Sequence, residues 1–311
     1  MTATLDAPAR DRVRPRRPLR TLSITDKIAL AIMVGVPTLV QLLLVWLPAL
    51  ASIGLSFTRW NGIDLDRIEP AGLANYDYIV SLYPPFWPAV AHNVIWLLFL
   101  AGIATPLGLL LAVLLDGKLA GSRIYQSVFF VPVMISLALT GVIWQLFYQR
   151  DNGLLNNVLG TAGTPAAIDW FGDPDVNLLA AMVAATWRHA GYVMILYLAG
   201  LKGVDPALRE AAAIDGANGW QTFFRVVFPA MRPINIIIVV ITIIECLRAF
   251  DIVYVINRGT NGLELLGALV VQNLVGEGQV IGIGSALAVI LLVVSLGPII
   301  FYLTRAFGRE D

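Results

Sequence analysis

The sequence is poor in what a metal or thiol centre requires. One cysteine and two histidines occur in 311 residues. Cys246 has no partner for an intramolecular disulfide, and no Cys/His spacing of a zinc site is present. Charge is also scarce. Only 14% of residues are charged, where a soluble globular chain carries about a quarter. No GxxxxGK[ST] phosphate loop, HExxH or GxSxG elbow occurs, so no motif supports ATP hydrolysis by this chain, metalloprotease chemistry or a serine nucleophile. The net charge is zero and argues for no particular partner. No cofactor is implied.

What is present is hydrocarbon. Hydrophobic residues make up 58% of the chain and the mean hydropathy is +0.77. No Asp, Glu, Lys or Arg lies between Ile28 and Phe57, Tyr78 and Leu115, Ile124 and Gln149, or Gln279 and Thr304. Two further apolar stretches, 176–201 and 233–256, are interrupted by Arg188 and by Glu245, Arg248 and Asp251. A bilayer core about 30 Å thick needs about 20 apolar residues as helix. Lipid offers the backbone no partners, and these runs lack strand alternation. The expectation is an all-α membrane protein with six spans, at about 28–57, 90–115, 124–148, 177–201, 233–256 and 279–304. Pro37 and Pro48 bend the first. The stretch before Ala49-Leu50-Ala51 is too long for the apolar part of a signal peptide, which is about 7–15 residues. It is expected to remain as the first span.

Lys and Arg mark the cytoplasmic side. With the N-terminus inside, the inner segments 1–27, 116–123, 202–232 and 305–311 hold 15 of the 21 basic residues and the outer loops hold 4. Both termini are therefore expected inside. The expected organisation is a disordered basic tail 1–27, a six-helix domain 28–305 and a short tail 306–311. The run "RDRVRPRRPLR" (10–20) reads as a topology signal, not a nucleic-acid arm. Loop 58–88 is aromatic, with Trp60, Tyr76, Tyr78, Tyr83, Phe86 and Trp87 suited to a water–lipid interface.

The inner loop between spans four and five has the punctuation of a helical hairpin. Asp205-Pro206 is an N-cap with proline at the first helical position. "PALREAAAID" is rich in helix formers, and Gly216 stops it. Asn218 and Gln221 form a capping box for a second helix, which Pro229 and Pro233 end. Ala211, Ala212 and Ala213 would form a smooth surface for close approach, with Glu210 and Asp215 as charged contact points. Insertion into a partner's groove and packing beneath the bundle are both open on these grounds.

"EAAAIDGANGWQTFFRVVFP" (210–229) reads Glu-Ala-Ala, three residues, Gly, nine residues, then apolar-x-apolar-Pro. This resembles the signature loop of permease subunits of binding-protein-dependent ATP-binding-cassette (ABC) importers, most closely the carbohydrate branch with the maltose and glycerol-phosphate permeases. Glu210, Ala211, Ala212, Gly216 and Pro229 fall on the motif. Val226 and Phe228 replace the usual Ile and Leu, and Asp215 to Ala217 complete the "DGA" of the sugar branch. "GLANYDYI" (72–79), "FFVPVMIS" (129–136), "VIWQLFYQRDNGLLN" (142–156), "FDIVYV" (250–255) and "GIGSALAVIL" (282–291) are similar to the family over about 28–305. "NRGTNG" (257–262) departs from the family's "TxGGP".

The resemblance implies an inner-membrane protein of a prokaryote, forming half of a path for a sugar or polyol. It implies three kinds of partner besides lipid and no nucleic acid: two ATPase subunits, a second and paralogous permease, and an extracytoplasmic solute-binding protein. Glu210, Ala211, Ala212, Asp215, Gly216 and Ala217 would couple to the ATPase.

Charges within a bilayer usually face a bundle interior or a wet cavity. Glu245, Arg248 and Asp251 at three-residue spacing would share a helix face. With Arg188 they could bind sugar hydroxyls, while Trp187 or Tyr192 stacks on a sugar ring. The competing readings are a salt-bridge cluster locking spans together and a proton relay through His189 and Glu245. An ion- or proton-coupled transporter acting alone is the alternative function. Such proteins show internal repeats and broken helices, and no repeat or break is evident in the sequence.

Overall fold

The structure, a computed structural model, describes residues 23–117, 119–275 and 280–307. The basic tail up to residue 22, Lys118, the stretch 276–279 and the last four residues lie outside the described residues.

Chain contacts divide the protein after Ala51. The first unit holds most of helix α1 (Ile24–Leu55), and that helix's residues up to Ala51 are all exposed. Ser23 caps α1 in a capping box with Asp26.

The second unit is a helical bundle with one small sheet. Strands β1 (Thr58–Arg59) and β2 (Glu69–Pro70) pair antiparallel. Helices α2 (Ala74–Ser81), α3 (Phe86–Asp116), α4 (Ser122–Met134), α5 (Leu137–Phe147) and α6 (Leu154–Val158) follow. Then come α7 (Asn177–Gly203), α8 (Pro206–Ile214), α9 (219–230), α10 (Arg232–Leu247), α11 (Asp251–Asn257), α12 (Leu266–Val275) and α13 (Ile281–Phe307). Helices α1, α3, α7 and α13 are long and apolar enough to cross a membrane. The bent pair α4–α5 makes a fifth candidate.

Two expected spans are broken. The third turns by 102° between Met134 and Leu137. Pro132 lies in the last turn of α4, and Ser136 caps α5 by accepting from the Leu139 amide. The fifth breaks at 248–250, between α10 and α11. Arg248 and Asp251 therefore do not share a helix face with Glu245. Asn93 of α3 ties the end of α10 to the start of α12. Its Nδ2 donates to the Cys246 carbonyl at 3.1 Å, and its Oδ1 accepts from the Leu266 amide at 2.8 Å. The stretch between the fifth and sixth expected spans contains α12, which at ten residues is too short to span and packs on α13 and α3.

Prolines shape the helices in one recurring way. Five-residue π turns at Leu42–Trp46, Leu100–Ala104 and Phe223–Val227 each end two residues before a proline: Pro48, Pro106 and Pro229. A proline ring collides with the carbonyl four residues back, and a turn wider by one residue relieves that collision. Helix α9 ends at Ala230, between Pro229 and Pro233.

Helix α7 is the hub. It packs on the second half of α3 and on α4 and α5, and its small residues let backbones approach closely. A Cβ on Gly108 would come within 2.8 Å of the Ala190 carbonyl, and one on Gly191 would overlap the Phe129 carbonyl of α4.

Candidate functional site

The hairpin 205–230 forms as its residues dictate. Asp205 Oδ1 accepts from the Ala207 amide at 2.9 Å, and Pro206 occupies the first turn of α8. Gly216 adopts φ +76°, the left-handed conformation that ends a helix. The Gly216 and Ala217 amides donate to the Ala213 and Ala212 carbonyls, completing a Schellman motif. Asn218 and Gln221 form the expected capping box.

The expected coupling residues divide between two faces. Glu210, Ala211, Asp215 and Gly216 are exposed, and Ala217 is half-buried. Ala212 is buried at 7% exposure. It faces this chain's own bundle, so only its neighbours Ala211 and Ala213 present a smooth outer surface. The reason lies one turn earlier at Arg209, a residue the sequence reading passed over. Its guanidinium stands 3.4 Å from Asp116 Oδ2 at the end of α3 and donates to the Leu201 carbonyl of α7 at 3.1 Å. Positions 209 and 212 lie on one helix face, and that face is pinned to the bundle. The outward side carries apolar groups that were also missed. Ile214 is 87% exposed, and Trp220 stacks in parallel on Phe224 with ring centroids 5.2 Å apart. Exposed apolar groups clustered in this way mark an interaction surface.

Inside the bundle, the break in each bent span meets α7. Arg188 Nη1 lies 3.4 Å from Glu245 Oε2 of α10, with both side chains about a quarter to a third exposed. Leu137 of α5 and Ala249 and Phe250 at the α10–α11 break border the same cavity. Its volume is about 20 Å³, enough for about one water and far below the ~300 Å³ at which ligand pockets begin. Both members of the ion pair border this space. The Arg188 Nε is buried without a hydrogen-bond partner.

Of the six residues expected along a substrate path, Arg188 and Glu245 come together. Arg248 is exposed at the end of α10, and Asp251 opens α11. Trp187 packs edge-on against Trp144, and Tyr192 is half-buried away from the cavity. His189 borders the same cavity as Glu245. Its Nε2 lies 3.3 Å and 3.4 Å from the hydroxyls of Thr105 and Thr242, tying α7 to α3 and α10. Lone polar residues in apolar spans were the available signal for Asn93, Thr105 and Thr242. Among the described residues no cluster of His, Cys, Asp or Glu could hold a metal ion.

A chain with bent apolar helices around a closed polar centre, and a pinned helical hairpin outside them, has the build of a transport protein. Comparison with known proteins agrees. The family described as binding-protein-dependent transport system inner membrane component matches residues 104–310. Among relatives, the osmoprotective compounds uptake permease GgtC of Synechocystis is 32% identical, over 85% of this chain and 94% of its own length. The xylose/arabinose import permease XacH of Haloferax volcanii is 30% identical over 88% and 87%. The alpha-glucoside transport permease AglF of Rhizobium meliloti is 31% identical over 85% and 78%. A crystal structure of a bacterial ABC transporter that imports alginate shares the fold, with a TM-score of 0.76 at 20% identity over 92% of this chain and 97% of that one. The chain therefore belongs to the binding-protein-dependent transport system inner membrane component family: it is an ABC-importer permease, multi-pass in the inner membrane.

Proposed function

We propose that this chain is one of two permease subunits in an ATP-driven importer of a sugar or related polyol. It crosses the membrane six times, the broken pairs α4–α5 and α10–α11 each counting once, with both termini cytoplasmic. Basic residues concentrated in the inner segments support that orientation. Residues 28–305 form the permease domain, flanked by the two tails. Relatives named for xylose/arabinose and alpha-glucoside import support the substrate class. Two ATPase subunits hydrolyse ATP, this chain being no enzyme itself, and a paralogous permease and an extracytoplasmic solute-binding protein complete the assembly.

The pinned hairpin carries this reading. A helix that merely packed beneath the bundle would not leave Glu210, Ile214, Trp220 and Phe224 facing outward. Helix α8 inserts into a cleft of the ATPase. When the ATPase pair closes on ATP, the displacement passes through Arg209 to the ends of α3 and α7. Those helices hold the Arg188 side of the polar cavity, so movement there can part Arg188 from Glu245 and open the path.

Glu210→Lys and Gly216→Pro test the coupling. Proline cannot adopt φ +76° and lacks the amide that donates to Ala213. Both variants are expected to assemble yet lose substrate-stimulated ATP turnover in proteoliposomes by about tenfold or more, the equivalent of about 1.4 kcal/mol. Normal transport by both would end the assignment.

Arg188→Ala tests the path. It leaves the Glu245 carboxylate without its partner in a largely apolar setting, which is costly. Uptake is expected to fall by about tenfold or more while the amount of chain in the membrane changes little. Undiminished uptake would remove Arg188 from the path.

The broken helices favour one competing reading, a coupled transporter acting alone, since such proteins place ion sites at helix breaks. Uptake that survives ATP depletion but stops with a proton uncoupler would decide for it.

A further inference from the structure

A second cavity, of about 530 Å³, lies among the β1–β2 ladder, α2 and the first turn of α13. Its volume is within the range of small-molecule pockets. Its walls are built with care. Asn75, buried on α2, donates from Nδ2 to the carbonyls of Ser56 and Thr58, each at 2.8 Å. A Cβ on Gly282 would overlap the Thr58 carbonyl, so only glycine lets α13 close against β1. The indole of Trp60 is held by its Nε1–H, which donates to the Asp64 carbonyl at 2.9 Å.

Against these fixed walls stand polar groups without partners. Arg59 and Glu69 are register partners across the ladder, where opposite charges ordinarily attract. Yet among the described residues their side chains form no ion pair or hydrogen bond, with each other or with anything else. The Tyr78 hydroxyl is likewise unpaired. Free donors on Arg59, free acceptors on Glu69 and a fixed aromatic ring are thus presented to one space. The carboxylate disfavours an anionic ligand and the Arg59 guanidinium a cationic one, while Arg67, which also lines the space, is paired with Asp64 at 3.4 Å. A neutral polyhydroxylated molecule suits both: its hydroxyls donate to Glu69 and accept from Arg59, while the C–H face of a ring lies on the indole.

We propose that this cavity is a saccharide-binding site separate from the Arg188–Glu245 cavity, taking a neutral di- or trisaccharide on Trp60 between Arg59 and Glu69. It rests on the sugar-importer reading and adds an outer holding site to it, because the ladder belongs to a loop expected outside.

The test is saturation-transfer NMR on the purified, assembled transporter without its solute-binding protein. The probes are maltotriose, xylobiose and, as a zwitterionic lipid headgroup, glycerophosphoethanolamine. Transfer to at least one of the two saccharides is expected. Glu69→Gln, an exposed and nearly isosteric change, and Trp60→Ala should each weaken that transfer by about fivefold or more. Trp60→Phe should retain most of it. Transfer to neither saccharide overturns the proposal, as does transfer only to the headgroup or transfer indifferent to Trp60→Ala and Glu69→Gln. Failure of the importer reading would show differently, as absent ATP-dependent uptake by a complex whose outer cavity still binds saccharide.

Discussion

Gly191→Val is expected to deprive the membrane of folded protein. The hydrogen that valine replaces points at the Phe129 carbonyl of α4, and the next neighbour is the Val133 side chain at 3.2 Å. The obstacle is backbone, so it cannot rotate aside as a side-chain tip would. Overpacking of a well-filled core costs about 1–3 kcal/mol, occasionally more, and here two helices must separate. Separation would also disturb the bend between α4 and α5, whose second helix borders the polar cavity. The measurement is the yield and melting temperature of the purified transporter. Gly297→Ala is the control, because nothing lies within 4 Å of a Cβ added there, and alanine is the better helix former by about 1 kcal/mol. A Gly191→Val protein that melts with the wild type would show that α4 and α7 are not in the close contact described.

Arg209→Glu is expected to separate ATP hydrolysis from transport. The wild-type guanidinium bridges Asp116 and the Leu201 carbonyl. Being partly exposed, the ion pair itself contributes at most about 1 kcal/mol; the charged hydrogen bond to the carbonyl contributes about 1.5–3 kcal/mol. Glutamate loses both and places a second carboxylate beside Asp116. In the proposed assembly, helix α8 then still presents its outer face to the ATPase but is no longer fastened to α3 and α7. ATP turnover should persist while uptake per ATP falls by about tenfold or more. The exchange Arg209→Glu with Asp116→Arg should recover part of the loss, by restoring opposite charges without restoring the bond to Leu201. Full uptake by the single variant would mean that force reaches the bundle by another route.

The class of protein, the apolar stretches and the hairpin were legible in the residues because they depend on neighbours in the chain. A run without charge must leave water. Asp205-Pro206, Gly216, and Asn218 with Gln221 act within one helical turn of themselves, and each does so in the fold. Spacing of the Glu-Ala-Ala loop is likewise a local property, and the family match agrees with it.

What could not be read there depends on partners far along the chain. An unbroken helix through 233–256 satisfies every local rule; it breaks at 248–250, beside Cys246, whose carbonyl accepts from Asn93, 153 positions away. Three consecutive alanines look alike in sequence, but Arg209 reaching Asp116 turns Ala212 inward and leaves Ala211 and Ala213 outside. Four charges in two spans offered several pairings, and packing of α7 on α10 selected Arg188 with Glu245. Hydropathy and capping are decided by the nearest residues and by solvent, whereas a charge in lipid is decided by whichever distant group the folded chain brings within 3 to 4 Å.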